Sequence, residues 1–87
     1  MSPKLRKSLE WALDAEQRAI AALNFAAMCQ QGVAYDYTRD DPSPGAFHAA
    51  RVALGRADEA RKAADEATRR AEKIQRFLEA QKESSDV

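Results

Sequence analysis

Ala57-Asp58-Glu59-Ala60-Arg61-Lys62-Ala63 is followed at once by Ala64-Asp65-Glu66-Ala67-Thr68-Arg69-Arg70, a partial repeat whose period is seven residues. Seven residues make about two helical turns, so each recurrence returns the same residue type to the same side of a helix. Followed outward from the repeat, small or apolar residues fall at 46, 50, 53, 57, 60, 64, 67, 71, 74 and 78, an unbroken alternation of four and three. That is the spacing of a coiled-coil seam, and nearly all of it is alanine. Only Ile74 and Leu78, at its far end, are large. The first half of the chain carries a stripe on the same spacing, Leu9, Leu13, Glu16, Ile20, Leu23, Ala27 and Gln30, in which most residues are large. Bulky side chains opposite methyl groups interdigitate at a short interaxial distance, which predicts that the two segments pair as an antiparallel hairpin.

The ends of the helices are marked by serine and proline. Ser2-Pro3 places an N-cap hydroxyl before a proline whose missing N–H costs nothing in a first helical turn, and Ser43-Pro44 repeats the signal. Gly32 suits a left-handed C-cap. The reading is one all-α domain over 1–87: a helix over 3–31, a connector over 32–43 and a helix over 44–83. Helix one is then about ten residues shorter, some 15 Å of helix, which predicts an overhang at Ile74, Phe77 and Leu78. Glu16, an acid on the seam, is expected to set the register, with Arg56 within its reach. Gly55, inside helix two, points to a close backbone approach or a slight bend.

Composition narrows the function. Apolar residues make up 45% of 87 residues, many of them alanine, and a chain of this size has a thin core. Lys plus Arg is 14 and Asp plus Glu is 14, so no net field draws it to nucleic acid or an anionic membrane. No stretch has the apolar length of a membrane span, the start lacks a signal peptide's apolar region, and the single cysteine forms no internal disulfide. A cytoplasmic setting is expected.

A two-helix hairpin needs one apolar stripe on each helix, yet both helices carry a second. Ala21, Ala22, Phe25, Met28 and Cys29, with Trp11, lie far around helix one from the Leu9–Leu23 stripe, and Phe47, Ala50 and Leu54 form an i, i+3, i+7 set on helix two. Tyr35 and Tyr37 are close in sequence. Either the connector folds over this end of the hairpin or the surface is an interface, and the second alternative is the expectation. The predicted protein-interface residues are Trp11, Phe25, Met28, Tyr35, Tyr37, Phe47 and Leu54, with Arg39, Asp40 and Asp41 as a polar rim.

Candidates for chemistry are few. Cys29 and His48 make a cysteine–histidine pair arithmetically possible, but nothing local supports a nucleophile. The chain has no Glu-x-x-His pair, no paired cysteines and no calcium-loop spacing among Asp36, Asp40 and Asp41, and its glycines are isolated. No cofactor or metal is expected, and no catalysis. The expectation is a protein-binding module, a small inhibitor or adaptor of the phage- or plasmid-encoded, anti-CRISPR kind, with another protein and a second copy of itself as partners, the two copies forming a helical bundle. The alternative is a nucleic-acid-binding hairpin using Arg61, Arg69, Arg70, Lys73 and Arg76. Against it, the segment 44–83 has nine basic and seven acidic residues, interleaved.

Overall fold

The computed structural model describes residues 1–40 and 43–85, with side chains through Lys82. It consists of two helices, α1 (Pro3–Asp40) and α2 (Pro44–Ser85), and no strand among the described residues. The two run antiparallel in a rod of 66 × 16 × 13 Å. The radius of gyration is 19.3 Å, against about 12 Å for a compact chain of this length.

Both helix starts are capped as the serine–proline signals predict. The Leu5 N–H donates to Ser2 Oγ at 3.1 Å, and the Ala46 N–H donates to Ser43 Oγ at 3.2 Å. The first orphan amides of each helix are thereby satisfied. The other end of α1 departs from expectation. Gly32 is not a cap: it has no positive φ, and α1 continues through the predicted connector to Asp40. Packing explains the continuation. Ala34 extends the four–three stripe by one step beyond Gln30 and is buried against Ala50 and Ala53, which outweighs the cost of one exposed helical glycine, about 1 kcal/mol. The helix ends two residues before Pro42, a residue type that disfavours helical conformation at the position preceding it.

Extending α1 removes the overhang, since the helices have 38 and 42 residues. Arg6 and Glu10 share a groove with Leu78, Glu79 and Lys82, so the beginning of α1 reaches nearly the end of α2. Ile74 and Leu78 are half-buried there, and Phe77 stays exposed.

The core is made of methyl groups. Among the described residues the buried ones are all alanines: Ala27, Ala34, Ala46, Ala50, Ala53, Ala57, Ala64, Ala67 and Ala71. Seven of them occupy the α2 stripe read from the sequence, whose three other members, Ala60, Ile74 and Leu78, are half-buried. Ala50, which also belongs to the second α2 set, lies in this core. On α1, Leu9, Leu13, Ile20 and Leu23 are half-buried. Each buried alanine contributes on the order of 1 kcal/mol, so the helices are held by many small contributions and no large anchor.

Gly55 marks no close approach. A Cβ there would meet nothing within 4 Å. Gly55→Ala is therefore expected to stabilise the chain by about 0.5–1 kcal/mol, read as a higher midpoint in chemical denaturation. An unchanged or lower midpoint would show that α2 needs the glycine.

Candidate protein-binding surface

Register follows from where α1 ends. With the bend after Asp40, Glu16 lies opposite Arg70, whose Nε donates to Glu16 Oε1 at 3.1 Å. The expected partner, Arg56, belongs to a bend nearer Gly32. It instead lines a groove with Gln30, Val33, Tyr37, Ala49, Val52 and Ala53. Glu16 is the charged residue of the α1 stripe, its side chain 24% exposed, and its Oε2 is buried with no hydrogen-bond partner among the described residues. The hydrogen bond to Glu16 holds the Arg70 guanidinium above its ordinary pKa. A half-buried carboxylate with one reachable cation penalises other registers more than it stabilises this one.

The residues expected at the interface are exposed wherever they are described. Trp11, Phe25, Met28 and Tyr35 are the most open of the large apolar side chains described, and Tyr37, Phe47 and Leu54 are exposed as well. The connector does not fold over them, because residues 32–40 are helix. Arg39 and Asp40 form a surface ion pair at 2.9 Å, with the guanidinium 5.6 Å from the centroid of the Tyr35 ring. Hydrogen bonds to Asp40 and to Tyr35 raise the Arg39 pKa. Asp41 lies outside the described residues.

These side chains do not form a single patch. At about 100° per residue, Phe25, Met28 and Cys29 project from the side of α1 that faces away from α2. Trp11 shares that side but lies about 21 Å farther from the bend, with Lys7 Nζ 5.6 Å from its ring. Val33 and Tyr37 project toward the groove that they share with Ala49 and Val52. Phe47 lies with Pro44, His48 and Arg51 at the start of α2. The apolar surface thus wraps the bend end on several sides. Val33 and Val52, both exposed, belong to it and were missed by reading only the second stripes. They flank the seam, and extending the α1 stripe through Ala34 would have placed Val33 beside it.

The helices do not bring Cys29 and His48 together. Cys29 is exposed on the outward side of α1, about 16 Å below its end, whereas His48 lies in the first turns of α2 beside Phe47. Among the described residues no three of histidine, cysteine, aspartate and glutamate gather as a metal site would require. No helix among the described residues is long and apolar enough to cross a membrane. The basic residues of α2 are partly engaged by acids: Arg61 lies 3.7 Å from Asp58, Arg76 lies 3.6 Å from Glu72, and Arg70 is turned to Glu16.

No protein-family model matches the chain. Comparisons with curated proteins and with solved structures likewise return no match.

Proposed function

We propose that this chain is a non-enzymatic protein-binding module, an inhibitor or adaptor that acts by occupying a partner's surface. The observation that carries this reading is the distribution of exposed apolar side chains. Phe25, Met28, Val33, Tyr35, Tyr37, Phe47, Val52 and Leu54 all lie in the half of the rod next to the bend, and among the described residues only Met1, Leu5, Trp11 and Phe77 are comparably exposed elsewhere. Aromatic and aliphatic side chains held on rigid helices lose little conformational entropy on binding, and Arg39 and Asp40 supply a solvated rim. The work of recognition is assigned chiefly to the groove side, Tyr37 and Val52, and to Phe47 and Leu54 on α2.

The test is affinity capture from the source cell with the chain immobilised, followed by the same capture with Phe47→Asp and Leu54→Asp. The expected result is a partner retained by the native chain and lost with both variants, whose far-ultraviolet circular dichroism stays helical. Equal retention by native and variant chains would refute the assignment. Binding of a nucleic-acid duplex that falls steeply as salt rises would favour the basic residues of α2 instead.

A further inference from the structure

The outward side of α1 has an order of charges that is complementary to itself. Asp14, Arg18, Ala22, Phe25, Gly32, Asp36 and Arg39 fall within a sector about 120° wide, opposite the stripe that packs on α2. Between Asp14 and Arg39 the sector reads acid, base, apolar stretch, acid, base; Lys4, Lys7 and Asp40 lie in it beyond those ends, and within one chain Arg18 is ion-paired to Asp14 at 3.0 Å and Arg39 to Asp40 at 2.9 Å. A copy running in the opposite direction reads base, acid, apolar stretch, base, acid. We propose that this face is the interface of an antiparallel homodimer, in which Asp14 and Arg18 of one copy meet Arg39 and Asp36 of the second. The proposal rests on the protein-association reading and names one partner for it, a second copy of the chain.

Three observations support this occupant. The charge pairs fix a common centre: Asp14 with Arg39 and Arg18 with Asp36 both place the two-fold axis beside Ala26 and Ala27. A parallel pairing would set like charges against like. The same centre sets Ala22 against Gly32 of the second copy, and Phe25 against the sulfur-bearing side chains Met28 and Cys29, a favourable contact for an aromatic ring.

Gly32 supplies the second observation. As at Gly55, a Cβ there would meet nothing within 4 Å, but Gly32 lies on the outward sector of α1, where that open space lets a second backbone approach closely. Area supplies the third. The chain exposes 6630 Å², whereas a compact monomer of its mass exposes about 5,100 Å². An interface of ordinary size removes about 800 Å² from each partner, which this excess can provide.

Sedimentation equilibrium of the full chain tests the proposal. The native chain is expected to be a dimer. Arg18→Asp and Asp36→Arg should each weaken it by about tenfold or more, and the double variant, which restores both cross-pairs in swapped form, should recover most of the loss. Gly32→Leu should give an equally or more helical chain that is monomeric, because leucine fills open space in one hairpin and blocks the second. A native chain that stays monomeric overturns the dimer, as does a dimer indifferent to Gly32→Leu and to the single reversals. A dimer lost with Phe47→Asp but kept with Gly32→Leu overturns this face while leaving the chain a protein-binding module. A monomer that still captures a partner through Phe47 has the same consequence.

Discussion

Ala57→Leu is expected to lower the stability of the chain by about 3 kcal/mol, the upper end of ordinary overpacking costs. Ala57 is 0% exposed and lies in the middle of the methyl stripe of α2. Three additional carbons at that point push the helices apart along several turns, and the neighbouring alanines of the stripe lose their burial. A single core of this size supplies only about 3–5 kcal/mol in total, so at most about 2 kcal/mol should remain and the unfolding midpoint should fall steeply. Helical circular dichroism during a urea titration reads the effect. Ala80→Leu is the control, since Ala80 is exposed, and should shift stability by no more than about 0.5 kcal/mol. Equal behaviour of the two variants would mean that the helices do not meet along the alanines.

The second large effect is on association. Phe25→Asp should leave helicity nearly unchanged, because Phe25 is 63% exposed and lies off the stripe that packs on α2. Yet it should weaken self-association by at least about a hundredfold, near 2.7 kcal/mol. In a two-fold interface each substitution is present twice, and here both copies place an unpaired carboxylate against an apolar contact. Light scattering or sedimentation on the variant reads the loss. A variant that associates as the native chain does would remove the outward face of α1 from the interface.

Much of the hairpin is legible in the chain because one signal repeats many times. The stripe from Ala46 to Leu78 recurs without a break, and every position on it is buried or half-buried. The serine caps are equally readable, since each is a local interaction between a hydroxyl and an amide three residues on. The end of α1 is different in kind. Gly32 is a local stop signal, but whether a helix obeys it depends on what the following turn can bury. Ala34 finds Ala50 and Ala53 there, a contact separated widely in sequence. Misplacing the bend then misplaces everything measured from it: the partner of Glu16, the overhang at Leu78, and the side on which Val33 and Tyr37 emerge.

The candidate surface is legible as a set of residues and not as a shape. An apolar side chain that misses the stripe must be exposed in a two-helix fold, which is why Trp11, Phe25, Met28, Phe47 and Leu54 are open. Which of them neighbour one another depends on the register between helices, a property of both halves together. The order of charges along α1 depends on Asp36 and Arg39 belonging to the same helix as Asp14 and Arg18, which the extension of α1 past Gly32 provides.

A single hairpin whose buried residues, among those described, are all alanine leaves much apolar surface in water, which the proposed second copy would cover. Thermal unfolding followed over about a hundredfold range of protein concentration measures this directly, because binding to the folded chain alone raises its midpoint by mass action. The expected result is a midpoint that climbs steadily with concentration in the native chain and stays flat in Gly32→Leu. A native midpoint independent of concentration would contradict the claim.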